Sequence, residues 1–442
     1  QHTRVAPPIR QQKLVEFVQT INSNPEASRI LSDWGLQLEG QPVRTQGRTF
    51  AVETISFGRG ATATSQKASW DREATNSVLY RPIQVENWLL ISTKRDSPRA
   101  DGFVKCIQGA SQKMGFTFKN PRRIEIDRDG PMDYANAIKN AFSAGDQVVV
   151  IITPGSSQKE DRYNAIKRLC CSDIAVPSQV IRANTLNDQN PVKFRSVCQK
   201  VAVQISCKIG AEPWAVNIPF KNCMIIGIDV YHDPSQRGKS VVAIVSSLNP
   251  VVTRWYTRVC FQNSNEEIVS SLEQSIVQCL KKFWDINQML PQRIFIYRDG
   301  VSDGQLNNVR EYEIVQIENA IMDYAKAFEN YKPTLTTVVV QKRINAKMLM
   351  HRGELTNPPP GSVLDHTITR NNYYDFYLIS QFVNQGTVTP THYIVVHDNN
   401  GMTPDRMQKL SYKLTHLYYN WFGTIRTPAP CQVINLSFII KL

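Results

Sequence analysis

The sequence predicts an α/β protein with two successive sheets, the first Rossmann-like and the second ribonuclease-H-like. From Asn87 onward, apolar strands alternate with helices, the order that gives a parallel sheet covered by helices. From Asn222 onward, three apolar strands come in succession and are followed by a helix, a strand, a helix and a strand, the element order of the ribonuclease-H-like fold. At 442 residues the chain is long enough for two or three domains with separate cores.

Residues 1–82 read as a connector that leans on the larger domains: one amphipathic helix near Gln12 to Asn22, then Gly-, Thr-, Gln- and Pro-containing segments of low apolar content. Residues 83–215 form the first domain. NWLLIST is a strand, a helix surrounds Phe103, a second runs from Asp133 to Phe142, and QVVVIITP is the next strand. A helix from Gln158 to Leu169, the short strand PSQVI and a long helix from Val192 to Ile209 complete it. No GxGxxG follows the first strand, which argues against a dinucleotide site. Residues 216–442 form the second domain. NCMIIGIDV, SVVAIVSS and TRWYTRVCF are strands, separated by turn residues His232 to Gly238 and Asn249 to Pro250. A helix carries Ile268, Leu272, Ile276, Leu280 and Phe283 on one face. The strand RIFIYRDGV, a helix around Val309 to Ala325 and the strand TLTTVVVQKR follow.

The net charge of +13 favours a polyanionic partner, because clustered cations release counterions when they neutralise phosphates. Charge alone does not separate RNA from DNA or from an acidic membrane. The nine cysteines, including the pair Cys170 and Cys171, show neither a CxxC nor a His/Cys zinc spacing, so reduced thiols in an intracellular protein are expected. No apolar stretch approaches the roughly 18 to 20 residues of a membrane span. The opening QHTRVAPPIRQQ lacks the apolar run of a signal peptide. A soluble, cytoplasmic or nuclear protein is the expectation.

Two acidic residues close apolar strands: Asp229 ends MIIGID and Asp299 ends RIFIYRD. A buried strand that ends on an unpaired carboxylate costs several kcal/mol unless a cation or hydrogen-bond donors meet it. On adjacent strands the two would share one spot, where hard oxygen ligands suit Mg²⁺, and two such ions roughly 4 Å apart can hydrolyse a phosphodiester. Taken singly, Asp299 reads equally well as the opening of the turn at Gly300 and Asp229 as a strand cap; their joint placement favours metal ligation. Glu266 and Glu267 read by default as acids complementing a helix dipole. In the first domain Tyr163 and Lys167 lie four residues apart on one helix face, and Lys200, Gln204 and Lys208 fall at four-residue steps. A solvated polar face is the plain reading of such a stripe.

Beyond these patterns, IFIYRDGVSDGQ resembles the YRDGVSEGQ signature of the PIWI clade of Argonaute proteins. VVVQKRINAKM is similar to the family's VVQKRH stretch, DFYLISQ with GTVTPTHYIVVHDNN to its DFYL and PTHY segments, and RTPAPCQ to its PAP turn. The resemblance implies a linker, a MID domain and a PIWI domain, here residues 1–82, 83–215 and 216–442. The family's N-terminal and PAZ domains, which hold the guide's 3′ end, are expected outside this chain. The implied activity is small-RNA (piRNA)-guided recognition and Mg²⁺-dependent cleavage of complementary RNA in transposon and gene silencing, with Mn²⁺ able to substitute. Germline expression, perinuclear granules and Tudor-domain partners also follow from the resemblance.

The family's catalytic set maps onto Asp229, Glu267 in EEIVSSL, and Asp299. Its fourth member, usually His, falls five residues after Pro430, on Asn435. Asn offers a carbonyl oxygen that can ligate Mg²⁺ but cannot titrate as imidazole does. A guide-loaded scaffold that cuts weakly or not at all is therefore the alternative, and a nuclease acting without a guide is a third option that leaves the polar stripe unexplained. The family places the pair corresponding to His397 and Asp398 in a loop away from the metals. For the guide's 5′ end the resemblance implies Tyr163, Lys167, Gln179, Gln204 and Lys208, with Gln204 also serving a Mg²⁺ that bridges the phosphate to a chain terminus. Here the sequence stops at Leu442, earlier than the family norm. Lys342, Arg343 and Arg426 are the expected guide-backbone contacts.

Overall fold

A computed structural model describes residues 4–64, 67–155, 160–232, 239–263 and 272–433. Near the N-terminus, Pro7 and Pro8 preset the first turn of α1 (Pro7–Ser23), and the Asn24 side chain caps α2 (Pro25–Asp33) by accepting from the Glu26 and Ala27 amides. The single amphipathic helix expected here is thus longer and has a successor. Its apolar residues Leu14 and Phe17 face outward, as does Trp34 beyond α2, so the periodicity there does not mark a buried stripe. Strands β1 (Arg48–Thr49), β2 (Thr54–Ser56) and β3 (Thr62–Thr64) and helix α3 (Asp71–Asn76) follow. Ile55, Phe57, Trp70 and Leu79 are buried in the largest core, so this stretch is built into the fold where the sequence suggested it merely leaned on it.

The first large sheet comes from β4 (Trp88–Thr93), α4 (Ser97–Lys113), β5 (Arg122–Ile126), α5 (Pro131–Ala141), β6 (Val148–Thr153), α6 (Glu160–Arg168), β7 (Ser178–Arg182) and α7 (Pro191–Lys208). Its strands run parallel in the order β5-β4-β6-β7. Side-chain alternation explains why helices cover both faces. Leu90, Val148 and Val150 pack with α4 and α7, whereas Leu89, Ile91, Val149 and Ile151 pack with α5 and α6. The edge strand β5 was not expected, because RRIEI is mostly polar and only Ile126 is buried.

The two-residue β8 (Ala215–Val216) pairs with β2 and leads into the second sheet. That sheet begins with β9 (Cys223–His232), β10 (Lys239–Ser247), β11 (Trp255–Asn263), α8 (Leu272–Asn287) and β12 (Arg293–Asp299). A helical run follows, α9 (Leu306–Asn308), a wider π turn and α10 (Ile314–Ala325), then β13 (Thr334–Gln341). A hairpin of β14 (Met350–Arg352) and β15 (Glu354–Thr356) precedes β16 (Ser362–Leu364), β17 (Tyr374–Ile379), β18 (Thr391–Asp398) and α11 (Pro404–Leu414). The strand order is β1-β16-β17-β18-β13-β12-β9-β10-β11. β9, β10 and β11 are antiparallel, while β12 runs parallel to both β9 and β13, which is the ribonuclease-H-like arrangement. The extension through β18, β17 and β16 to β1 was not part of the expected order. Ile268 and most of the turn expected at His232 to Gly238 lie outside the described residues. Among the described residues no helix is long and apolar enough to cross a membrane.

The central strands divide their side chains between two cores. Ile226, Ile228, Ile294, Ile296 and Val339 pack with α8 and α10, whereas Ile225, Tyr297, Val338 and Val340 join α11 in the larger core. On the latter face the chain after Pro428 crosses β9 at Gly227, where an added Cβ would lie 2.7 Å from Pro430 Cβ. Only a residue without a side chain lets that turn approach so closely.

Candidate functional site

Asp229 and Asp299 come together. β9 and β12 are paired in parallel with Ile228 opposite Arg298, so the next residue on each is an aspartate, and alternation puts both on the face of Ile225 and Tyr297. Asp299 is fully buried and Asp229 nearly so. Burial first, and then the charge of Asp299, raise the Asp229 carboxyl to about 6. The Val230 amide donates to Asp229 Oδ1 at 2.9 Å. Gly300 has φ +83, and a Cβ there would stand 2.9 Å from Asp229 Oδ1, so the turn after β12 needs glycine for both conformation and space.

Cations surround the pair. Lys342, directly after β13, donates to Asp299 Oδ2 at 2.6 Å, while the buried Asp299 Oδ1 has no hydrogen-bond partner among the described residues. Arg298 is held by Glu313 through bonds of 2.8 and 3.0 Å and donates to the Asp299 carbonyl. An orphaned carboxylate oxygen beside a second buried carboxylate is a donor set that fits a hard divalent cation such as Mg²⁺. Among the described residues no group of three His, Cys, Asp or Glu forms. Glu267 and Asn435 lie outside the described residues.

The sequence reading missed Lys342 and Arg298 as parts of this site. Both sit in quoted motifs, QKR and YRDG; for Arg298 the signal was a cation beside a strand-ending carboxylate, whereas nothing in the spacing marked Lys342. Lys342, expected on the guide backbone, donates its ammonium to Asp299. Arg426, with the same expectation, donates to the carbonyls of Lys342 and Pro390 and so ties the PAP turn to the end of β13. Arg343 is exposed. His397 and Asp398 lie at the far end of β13 from Asp299, where Asp398 accepts from Thr336 and from the Met402 amide.

A second cluster lies in the first domain. Lys167 on α6 donates to the Ser178 carbonyl at 3.2 Å and hydroxyl at 3.0 Å; Lys208 at the end of α7 donates to the same carbonyl at 2.8 Å and to Gln179 Oε1 at 2.6 Å. The Tyr163 ring stands 5.8 Å from the Lys167 ammonium. Burial first, and then the charge of Lys167, lower Lys208 to about 7. Burial also lowers Lys167. Two cations forced together and stripped of water form a site that gains when an anion arrives. Gln204 lies one turn before Lys208, half-buried. Lys200 lines a separate small cavity with Trp421 and Phe422, so the polar stripe of α7 serves more than one neighbour. Ser178, which orients both lysines, was missed although it precedes Gln179 in the quoted PSQVI.

The chain is similar to known proteins over nearly all its length. A Piwi domain family model matches residues 147–438. Piwi-like protein Ago3 of Bombyx mori is 42% identical over 442 residues, covering 99% of this chain and 47% of that protein. The chain thus spans about half the length of this curated relative. The crystal structure of Drosophila Piwi superimposes with a TM-score of 0.87 at 30% identity, over 99% of this chain and 60% of that one. A Kluyveromyces polysporus Argonaute crystallised with a guide RNA has a TM-score of 0.83 over 99% of this chain and 56% of its own, at 18% identity, a likeness of fold. With a Rossmann-like sheet, a ribonuclease-H-like sheet and these relatives, the chain belongs to the Piwi-domain family of Argonaute proteins.

Proposed function

We propose that this chain is the guide-binding and target-cleaving part of a piRNA-guided endoribonuclease, with residues 1–82 as linker, 83–215 as MID domain and 216–442 as PIWI domain. The observation that carries cleavage is the pairing of Asp229 and Asp299 on adjacent central strands, with Asp299 Oδ1 unsatisfied among the described residues. Asp229 and Asp299 would hold the cation, with Glu267 and Asn435 completing its ligands. Mg²⁺, or Mn²⁺ in its place, supplies the charge that activates water and stabilises the leaving oxygen. Lys342 and Arg298 hold Asp299 by its other oxygen and its carbonyl, which fixes Oδ1 for ligation.

The guide's 5′ phosphate is read by Lys167, Lys208 and Gln179, with Tyr163 stacking on the first base, a contact worth about 1–3 kcal/mol. Gln204 would help hold a Mg²⁺ at that phosphate, and Arg343 would meet the guide backbone. A guide RNA bound in the Kluyveromyces Argonaute structure supports this reading. The partners are a small guide RNA, its complementary target, the N-terminal and PAZ domains of the same protein, and Tudor-domain silencing factors, in cytoplasm or nucleus.

Lys208 gives this binding a pH dependence. In the empty pocket it sheds its proton above about pH 7, so binding a phosphate there at higher pH requires proton uptake. Above the phosphate's own second ionisation at about pH 6, affinity for a 5′-phosphorylated RNA should therefore fall between about pH 7 and about pH 9, while that of the 5′-hydroxyl RNA changes little, as fluorescence anisotropy can measure. A phosphate-to-hydroxyl affinity ratio that stays constant over this range would contradict the assignment.

The scaffold reading is favoured by one feature, Asn435 in place of the usual His. Comparing the unmodified chain with Asn435→His on a guide-matched target separates the two. Slicing predicts an Asp299-dependent product from the unmodified chain and more of it from Asn435→His. No such product from the unmodified chain leaves the scaffold.

A further inference from the structure

Behind the two carboxylates, on the opposite face of the sheet, five residues from separate segments close a ring, four through side chains alone and Arg370 through its backbone amide and guanidinium. Gln341, the last residue of β13, donates from Nε2 to the Val301 carbonyl at 3.2 Å and to Asp303 Oδ1 at 2.8 Å. Both partners are acceptors, so the amide oxygen must face the other way, and it does: Oε1 lies 3.2 Å from His392 Nδ1. His392 Nε2 stands 2.5 Å from Asp375 Oδ2, and Asp375 Oδ1 accepts from the Arg370 amide at 2.9 Å. The Arg370 guanidinium then returns to Asp303 at 2.6 Å.

The donor and acceptor inventory fixes the ring's chemistry. His392 is held from both edges, by Gln341 Oε1 at Nδ1 and by Asp375 Oδ2 at Nε2, so its ring cannot turn without losing a partner. His392 and Asp375 are buried, and the imidazole lies flat on Tyr377 with centroids 4.2 Å apart. At the other end Asp303 is exposed. Its carboxyl is lowered by the Gln341 bond first and by Arg370 next. The buried His392–Asp375 pair orients the Gln341 amide, and that amide grips residues 301 and 303, directly after Asp299 and Gly300. Two positions of the metal-site loop are thus held from below by one side chain that is itself adjacent to Lys342.

We infer that Gln341, oriented by the His392–Asp375 pair, is a positioning residue that clamps the loop following Asp299 and so sets the geometry of the acidic site. This rests on the proposed cleavage, but the clamp itself can be tested without it. Gln341→Met keeps the volume and removes both donors. Hydrogen–deuterium exchange of the amides at 300–305 should then quicken by about tenfold or more, with β4 and β6 unchanged. His392→Phe, which keeps the stack on Tyr377, should do the same, and the double variant should add little to either. Asp303→Ala, at the exposed end, guards against loss of folding and should loosen the same segment more mildly.

In single-turnover cleavage, Gln341→Met should raise the Mg²⁺ concentration needed for half-maximal rate several-fold, with guide affinity unaltered. Unchanged exchange at 300–305 in Gln341→Met and Asp303→Ala would overturn the clamp, as would strictly additive effects of Gln341→Met and His392→Phe. Faster exchange with an unmoved Mg²⁺ requirement would overturn its role in the acidic site. If the unmodified chain does not cut at all, the proposed function fails while the exchange data still decide the clamp.

Discussion

Replacing Asp229 by Asn should lower the rate of guide-matched cleavage by about 10³-fold or more while leaving guide binding intact. The magnitude follows from the several kcal/mol of transition-state charge stabilisation that a metal contributes, at about 1.4 kcal/mol per decade of rate. Asp229→Asn is the cleaner variant, because Asp299 is fully buried and bonded to Lys342, so that losing it strands a cation. Asp229 makes a single described hydrogen bond, from the Val230 amide, which an Asn oxygen can still accept. Burial and the neighbouring Asp299 charge already disfavour a second negative charge here, so neutralising Asp229 should leave the melting temperature unchanged or raise it. Calorimetry beside a single-turnover assay checks both halves, and a variant that still cuts within tenfold of the unmodified rate would remove Asp229 from the machinery.

The second large effect lies at the 5′ end. Lys167→Ala together with Lys208→Ala should weaken binding of a 5′-phosphorylated RNA by roughly 10²- to 10⁴-fold, since each charge-assisted bond contributes about 1.5–3 kcal/mol. The loss should nearly vanish for the 5′-hydroxyl RNA. Both lysines also hold the Ser178 carbonyl, so β7 will shift to some degree; the phosphate-to-hydroxyl ratio isolates the anion's part. An equal loss for both RNAs would mean that the lysines support the strand and do not read the phosphate.

Long apolar strands and regularly spaced helices were legible in the sequence because their pattern is local. QVVVIITP and RIFIYRD carry their burial in their composition. The edge strand RRIEI did not, since its neighbours and not its own residues make it a strand. The same distinction separates the parts of the site. Asp229 and Asp299 stand out as acids that end apolar runs, and the pairing of β9 with β12 follows from element order. Lys342 on Asp299 and Arg426 on the Lys342 carbonyl depend on how β13 meets the PAP turn, which no spacing records. His392 was read only as part of the PTHY segment, because its partners Asp375, Gln341 and Tyr377 are distant in sequence and meet only across neighbouring strands.

The most direct test of RNA-guided cutting is a single-turnover assay with one 5′-phosphorylated guide and two labelled target RNAs, one matched and one scrambled, in Mg²⁺. The expected result is one discrete product from the matched target alone, lost in Asp229→Asn and absent without guide. Equal cutting of both targets, or of neither, would contradict it.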